Sequence, residues 1–280
     1  MNTYRTHDDA DLHYDRLGAG DGEPIVVLAG GAAAHPSYLD DLAGLSGVRS
    51  LVVPQLRGVG DSPLPADPEV ASFWRQAEDV DRLRRHLGLD RVVLLGHSAG
   101  TRLAISYAAQ FPAYVGGLVL VTPPTGYLIP GGPGVDQVTE ARRGDPDFDA
   151  AYAAWQTGPE QHDEEGLTAW YARVAPVSYA KWGPAEQEHA RKFHYRYAAN
   201  RAYFSVEPPE DLAGRLRAVE APVLVVAGAQ DTGVGVGPVT ELARLFPAGE
   251  IAVIDGSGHF PWFEQPAAFR SIVDTFLARR

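Results

Sequence analysis

The 280-residue sequence contains no cysteine, and no apolar run in it is long enough to cross a bilayer. The lack of cysteine excludes disulfides, thiolate-bound metals, iron-sulfur clusters and a thiol nucleophile. A spanning helix needs about 18 apolar residues, and the polar, acidic start MNTYRTHDDADLHYD lacks the apolar core of a signal peptide. We therefore expect a chain that folds by packing alone, with the cytoplasm as the simplest location.

Basic residues are also scarce. Lys and Arg number 24 against 36 Asp and Glu, which gives a formal net charge of -12. A surface of that sign repels phosphate backbones and anionic lipid headgroups, so neither nucleic acid nor a membrane is expected as a partner. The composition, 45% hydrophobic and 21% charged, is typical of a globular protein. A chain of this length fits one large domain, or one domain with an insertion.

Six short apolar runs at the two ends of the chain predict buried strands. They are nearly continuous in apolar residues instead of alternating, which is typical of strands covered on both faces. The runs occupy residues 25–30, 51–56, 91–96, 117–122, 222–228 and 250–255. Helical spacing occupies residues 72–88, 99–111, 237–246 and 265–279. This alternation predicts an α/β fold with a mainly parallel, doubly wound sheet.

Two segments depart from this alternation. The polar pieces TYRTHD and DLHYDRLG, joined through DDAD, predict an antiparallel hairpin at one edge of the sheet. Between residues 124 and 212 the buried runs give way to Gly, Pro, charged and aromatic residues, flanked by the breaker-rich sequences TPPTGYLIPGGPG and VEPPEDLAG. We therefore predict a core domain in two parts, 1–123 and 213–280, interrupted by a helical cap over residues 124–212.

The strongest indication of chemistry is the sequence GHSAG at residues 96–100. It follows the run RVVLL and opens a helical segment, which is the order of strand, tight turn, nucleophile and helix in a nucleophile elbow. Side chains at the two glycines would collide with the strand and helix that the turn joins, and the helix N-terminus favours an oxyanion. A chain with 30 glycines also produces this pattern by chance, but the surrounding strand and helix favour Ser98 as a nucleophile.

A serine hydroxyl needs a base, and the base needs a group that fixes its tautomer. Asp231 follows the run PVLVVAGAQ, and His259 follows EIAVID and Gly-Ser-Gly. Both lie where strands end, at the edge where open α/β sheets bind ligands, in the chain order serine, acid, histidine. The alternative for Asp231 is an ordinary turn residue before Thr232 and Gly233. His97 is next to the serine on a sharp turn, so we expect it to pack and hydrogen-bond.

The loop after the first buried run predicts an oxyanion hole. Gly30, Gly31 and Ala32 let the backbone approach a substrate closely, and we assign the two donors to the N–H groups of Gly31 and Ala99. The alternative is a plain tight turn. The candidates for lining a substrate pocket are Gly30, His35, Tyr127, Trp155 and Tyr203. Since no metal-ligand pattern and no glycine-rich phosphate loop occurs, neither a metal nor a cofactor is expected.

Together these segments resemble the α/β-hydrolase superfamily over the whole chain. The likeness rests on GHSAG, on the acid in AGAQD, on the histidine in GSGHFPWFEQP, and on RGVGDS at 57–62, which is similar to a structural stretch of capped members. The resemblance implies a serine hydrolase with a cap and no cofactor. Haloalkane dehalogenases and epoxide hydrolases of this fold resemble one another in using an elbow aspartate, where this chain has Ser98.

Within the superfamily, AGGAAAHPSYL and NRAYF at 200–204 most resemble the proline iminopeptidase-like branch. Three positions differ from it. The His-Gly-Gly-Pro-Gly loop of that branch reads AGGAA at 29–33, Gln55 replaces an aspartate, and Asn200 stands where a glutamate would meet a substrate amino group. The acidic run at 160–165 could hold an amine, although such runs usually form a solvated surface. These differences count against aminopeptidase activity.

We therefore expect a serine hydrolase that forms an acyl-enzyme on a small-molecule ester, lactone or thioester. The aromatic residues of the cap favour an apolar or aromatic substrate. The alternatives are C–C bond hydrolysis or a rearrangement on the same triad, aminopeptidase activity, and small-molecule binding without turnover. The natural substrate, the stereochemistry and the oligomeric state do not follow from the sequence.

Overall fold

The computed structural model describes residues 2–20, 22–129 and 136–279, and eight strands in these ranges form one sheet. They are β1 (Asn2–Arg5), β2 (Asp11–Leu17), β3 (Ile25–Leu28), β4 (Leu51–Pro54), β5 (Val92–His97), β6 (Val115–Val121), β7 (Val223–Gly228) and β8 (Gly249–Ile254). The strand order is β1-β2-β4-β3-β5-β6-β7-β8. β2 is antiparallel to β1 and β4, and the other pairings are parallel. The predicted edge hairpin and mainly parallel sheet are confirmed.

Eleven α-helices lie in the described ranges. They are α1 (Ala77–His86), α2 (Ala99–Gln110), α3 (Asp136–Arg142), α4 (Pro146–Thr157), α5 (Glu164–Val174), α6 (Pro184–Ala190), α7 (Tyr197–Tyr203), α8 (Leu212–Arg215), α9 (Val236–Arg244), α10 (Pro261–Glu264) and α11 (Pro266–Leu277). Short 3-10 helices cover Pro36–Leu39, Leu45–Gly47, Pro68–Ala71, Pro112–Tyr114, Ala175–Ser178 and Leu216–Ala218. No helix of the described residues is long and apolar enough to cross a membrane.

Successive residues of a strand point to opposite faces of the sheet, so each central strand contributes to two cores. In β3, Val26 and Leu28 join the core under α1, α2 and α9, while Ile25 and Val27 join the core under α11 and the loop after β3. β3 to β7 are almost fully buried, as their continuous apolar runs predict. This arrangement of helices over both faces is the doubly wound fold expected from the sequence.

The strand β8 differs from the sequence prediction, which has it buried on both faces. Ile251 and Val253 in it are 38% and 45% exposed. The reason is its place at the edge of the sheet, where only β7 lies beside it. An apolar run identifies a strand, but its position in the sheet decides how much of it is covered.

The helices α3 to α7 leave the sheet after β6, and the chain returns to it at β7, the strand next to β6. We call α3 to α7, residues 136–203, the insert. Part of the predicted linker before the cap, residues 130–135, lies outside the described residues. The insert starts at the carboxyl end of β6, and its residues share one cavity with Ser98 at the elbow, so it lies over this edge of the sheet.

The stretch 57–62 forms structural bonds beside this edge. The buried Arg57 guanidinium binds the carboxylates of Asp79 and Asp8 with its Nε and Nη2 atoms at 2.6 and 2.7 Å. The Ser62 hydroxyl donates to the carbonyl oxygen of Gln55 at 2.7 Å. These bonds fix the loop after β4 to the N-terminal hairpin and to α1.

Candidate active site

Ser98 lies on a sharp turn between β5 and α2. Its backbone angles, φ 49° and ψ -122°, are disfavoured for a residue with a Cβ atom, and such strain persists only where the surroundings enforce it. Gly100 is required by close packing, because a Cβ there would lie 2.2 Å from the carbonyl oxygen of Leu28. The turn has the geometry of a nucleophile elbow, in which a strained serine follows a strand and precedes a helix.

His259 and Asp231 meet at the same edge of the sheet. The His259 Nδ1 atom lies 2.7 Å from Asp231 Oδ2, with the two side chains 15% and 1% exposed. Because a carboxylate only accepts, Nδ1 carries the hydrogen and Nε2 is left able to accept a proton. Asp231 Oδ1 accepts from the N–H groups of Gly233 and Val234 at 2.8 and 3.3 Å. Asp231 is therefore a turn aspartate and the partner of His259 at once.

A partly buried carboxylate holds the loop that carries His259. Glu264 Oε2 accepts from the N–H groups of Gly258 and Phe260 at 2.9 and 3.2 Å, and Oε1 accepts from Ala180 of the insert at 2.7 Å. Burial raises the pKa of Glu264 to about 7, although these three donors act in the opposite direction. Glu264 thus ties the His259 loop to the insert.

A chain of hydrogen bonds connects the loop after β3 to the elbow and to the His259 loop. The Gly30 N–H donates to the Tyr38 hydroxyl at 2.5 Å, and this hydroxyl lies 2.8 Å from His97 Nδ1. His97 Nε2 lies 3.0 Å from the carbonyl oxygen of His259, so Nε2 carries the hydrogen and Nδ1 accepts from Tyr38. Burial, together with the nearby His259, holds the pKa of His97 well below its usual range. His97 is a neutral structural residue, as its place beside the serine predicts.

Gly31 and Ala99, whose N–H groups are the predicted oxyanion donors, line the same cavity as Ser98. Ala99 is the first residue of α2, so its N–H is not used within the helix. Gly31 has φ 65°, a conformation that favours glycine. Among the described residues, neither N–H donates to a protein acceptor. The Asn200 amide nitrogen donates to the carbonyl oxygens of Gly31 and Ala32 at 3.4 and 3.2 Å, which orients this loop from the opposite side.

These groups share a cavity of about 640 Å³ between the sheet edge and the insert. Its floor includes Ser98, Asp231 and His259. Aromatic rings of the insert form most of its roof and walls, and they include Trp155, Trp170, Tyr171, Tyr179, Phe193 and Tyr195. The Tyr171 and Tyr195 rings stack with centroids 3.9 Å apart. The site combines polar groups on the floor with a largely apolar volume above them.

Of the five residues predicted to line a pocket, Trp155 lies on the cavity wall. The other four lie elsewhere. Gly30 faces Tyr38 behind the loop, and His35 borders a smaller adjoining cavity of about 460 Å³. Tyr203 is fully buried, and its hydroxyl donates to the Ala99 carbonyl oxygen at 2.7 Å. Tyr127 is covered by the Arg102 side chain, whose Cζ atom lies 4.1 Å from the centre of its ring.

The structure adds residues that the sequence interpretation missed. Tyr38, Glu264 and Arg102 all lie in or against the site. Tyr38 and Glu264 act on partners that no local pattern identifies. Arg102 did have a signal, because it stands four residues after Ser98 at the start of a helix, and residues at that spacing share one face.

Comparison with known proteins shows the family to which the chain belongs. A family model described as the α/β-hydrolase fold matches residues 23–266. A proline iminopeptidase from Heyndrickxia coagulans is 24% identical, with 92% of this chain and 91% of the relative covered. The 2-hydroxy-6-oxononadienedioate/2-hydroxy-6-oxononatrienedioate hydrolase 2 from Pseudomonas putida is 28% identical, with 96% and 92% covered. An esterase structure from Rhodococcus sp. ECU1013 has a TM-score of 0.76 at 24% identity, with 99% and 98% covered. The chain belongs to the α/β-hydrolase family.

Proposed function

We propose that this hydrolase is a serine hydrolase that cleaves a small ester, lactone or thioester through an acyl-enzyme, with the insert as its cap. The main support for this proposal is the position of Ser98, which lies in a strained turn and lines the same cavity as the hydrogen-bonded pair His259 and Asp231. A strained serine, an oriented histidine and two unused backbone donors around one cavity are the parts that acyl transfer requires.

In the proposed mechanism, His259 Nε2 takes the proton from the Ser98 hydroxyl as its oxygen attacks the substrate carbonyl carbon. The N–H groups of Gly31 and Ala99 stabilise the resulting oxyanion. The protonated His259 then gives its proton to the leaving alcohol or thiol, and the acyl group stays on Ser98. Water repeats the sequence, with His259 as base and Ser98 as leaving group. Asp231 keeps the imidazole in the required tautomer.

The cavity favours an apolar or aromatic acyl ester over a peptide amine. An aminopeptidase needs a carboxylate to bind the substrate ammonium, but the Asn200 amide is used by the carbonyl groups of Gly31 and Ala32. Among the described lining residues of the 640 Å³ cavity, Asp231 is the one carboxylate, and His259 occupies it. No residue of the acidic run lines this cavity. Glu160 pairs with Arg173 and Asp163 caps α5, while Glu164 borders the smaller adjoining cavity.

Labelling with a fluorophosphonate probe, read by intact mass, tests the proposal. We expect one label on the wild type and none on Ser98→Ala. Turnover of 4-nitrophenyl butanoate by Ser98→Ala should fall by on the order of 10⁶-fold, or to background. Ser178→Ala is the matched control, because Ser178 lines the same cavity away from the elbow, and this variant should label like the wild type.

Labelling of the folded Ser98→Ala variant would contradict Ser98 as the nucleophile. A wild type that neither labels nor cleaves any ester would favour a binding role. Hydrolysis of a carbon–carbon bond on the same residues is separated from ester hydrolysis by mass analysis of the products, because no alcohol or thiol is then released.

A further inference from the structure

A guanidinium group lies in the candidate active site beside the proposed nucleophile. Arg102 is in the first turn of α2, and its side chain lines the same cavity as Ser98 and His259. Ser98 immediately precedes α2 and Arg102 is its fourth residue, so about one helical turn separates them, and both line one cavity. A small ligand can therefore contact both.

Within the described part of the chain, Arg102 has no carboxylate within ion-pair distance, and its buried Nε has no hydrogen-bond partner. The well-buried arginines of the protein differ from it, because Arg57 binds Asp79 and Arg84 binds Asp81. A buried donor without an acceptor is unfavourable, and a ligand that supplies the acceptor removes this penalty.

Aromatic rings hold the Arg102 guanidinium in place. Its Cζ atom lies 4.1 Å from the centroid of Tyr127, 5.4 Å from that of Phe204 and 5.6 Å from that of Phe73. Contacts with ring faces stabilise the cation without using its N–H groups, which lie in the guanidinium plane. The group is thus positioned, and its donors remain available to an acceptor in the cavity.

The charge of the cavity is opposite to that of the protein. The chain carries a net charge of -12, yet the described lining holds two guanidinium groups, Arg102 and Arg191, and a single carboxylate, Asp231. Asp231 is bonded to His259, and Arg191 pairs with Glu188 at the exposed surface. Of these two guanidinium groups, Arg102 is therefore the one that has no carboxylate partner among the described residues.

We propose that Arg102 binds a carboxylate group of the substrate. This inference rests on the proposed function and narrows its substrate class to esters, lactones or thioesters that carry a free carboxylate besides the bond that is cleaved. The planar guanidinium presents paired N–H donors that match the two oxygens of a carboxylate. The apolar walls then contact the carbon chain between the carboxylate and the reacting carbonyl.

Matched esters test this inference. For a carboxylate on the acyl side, the mono-4-nitrophenyl esters of succinic, glutaric and adipic acid are compared with 4-nitrophenyl butanoate, pentanoate and hexanoate. For a carboxylate on the alcohol side, 4-acetoxybenzoate is compared with phenyl acetate. In at least one pair, we expect wild-type kcat/KM to favour the acid at least about tenfold. Arg102→Gln should lose that preference while neutral esters change by less than about threefold, and Arg102→Lys should keep part of it.

Arg143→Gln is the matched control. It also removes a guanidinium that lies over a ring, with its Cζ atom 4.4 Å from the Tyr152 centroid, but it is outside the cavity and pairs with Asp149. Its preference should equal that of the wild type. An equal loss on acidic and neutral esters in Arg102→Gln would overturn the inference, because Arg102 would then serve only packing.

The two proposals fail in different ways. If Ser98 is labelled and neutral esters are cleaved without any preference for acids, the carboxylate site is wrong and the serine hydrolase stands. If Ser98 is never labelled, the hydrolase proposal is wrong. Titration calorimetry then tests separately whether Arg102 binds a carboxylate. Glutarate should then bind the wild type at least about tenfold more tightly than Arg102→Gln, and equal binding would overturn the site.

Discussion

The floor and the roof of the cavity are held together by different interactions. On the floor, Tyr38 and His97 form a directional hydrogen bond of 2.8 Å, and His259 is fixed by another of 2.7 Å to Asp231. In the roof, the main contacts are between rings, such as the stacking of Tyr171 on Tyr195 at 3.9 Å. Hydrogen bonds weaken steeply with angle and distance, whereas stacked rings tolerate sliding.

This difference teaches how the two regions divide the work of the proposed enzyme. Proton transfer needs heavy atoms within hydrogen-bond reach, which the floor can maintain. An apolar roof contacts the ground state and the transition state alike, so it contributes to substrate binding and selection. Substitutions of the hydrogen-bonded residues on the floor should therefore lower kcat, and substitutions in the roof should raise KM.

Among substitutions that leave Ser98 in place, the largest effect is expected from Asp231→Asn. The asparagine keeps an oxygen for the N–H groups of Gly233 and Val234, but it presents an NH₂ group to His259 Nδ1. The imidazole then carries its hydrogen on Nε2 and cannot accept the serine proton, so kcat should fall by about 10⁴-fold. Steady-state ester hydrolysis measures the loss, and circular dichroism confirms folding. A folded variant with more than a tenth of wild-type kcat, roughly 1.4 kcal/mol of barrier, would mean that another group acts as the base.

A smaller effect on the floor is expected from Tyr38→Phe. Removing the hydroxyl leaves the buried Gly30 N–H and His97 Nδ1 without their partner, at about 1–3 kcal/mol for each group. Because Gly31, a proposed oxyanion donor, follows Gly30 in the loop after β3, kcat should fall roughly tenfold with KM nearly unchanged. Urea unfolding and ester kinetics measure the two effects.

Tyr107→Phe separates the loss of a buried hydroxyl from an effect on the site. The Tyr107 hydroxyl bonds to Asp81 at 3.4 Å, and neither residue lines the cavity. This control should lose stability and keep kcat. If both variants lose kcat to the same extent, the hydrogen-bond chain through His97 does not position the oxyanion loop.

The floor could be predicted from the sequence to a large extent because its signals are local. GHSAG lies between a strand and a helix, and Asp231 and His259 each follow a buried strand. Parallel strands bring their carboxyl ends to one edge, so chain order alone predicts that these residues converge there. The structure places Asp231 and His259 in contact.

The supporting residues could not be predicted in this way. Asn200 reaches Ala32 across 168 positions, and Tyr38 reaches His97 across 59. No periodicity encodes such a pair, because it depends on how segments distant in the sequence pack against each other. The same limit explains Tyr203, whose aromatic character suggested a pocket wall but whose hydroxyl is bound to the elbow helix.

Composition also does not determine which way an aromatic ring of the predicted cap, residues 124–212, points. Trp155 and Tyr127 look alike as candidates in the sequence, yet Trp155 faces the cavity and Tyr127 lies under Arg102. Arg102 itself is on the floor side, on α2, and its spacing from Ser98 was a local signal. An interpretation based on aromatic residues alone therefore does not find this cation.

The smallest effect is expected in the roof, from Trp155→Ala. Trp155 is 36% exposed and lines the cavity, so its removal takes apolar contact from a bound acyl chain without opening a buried core. KM for 4-nitrophenyl hexanoate should rise roughly fivefold with kcat unchanged, while 4-nitrophenyl acetate is too short to respond. Tyr114→Ala removes an aromatic side chain that is 42% exposed away from the cavity, and it should change neither constant. A fall in kcat on both esters for Trp155→Ala would mean that the roof orders the floor, and the division between binding above and chemistry below would not hold.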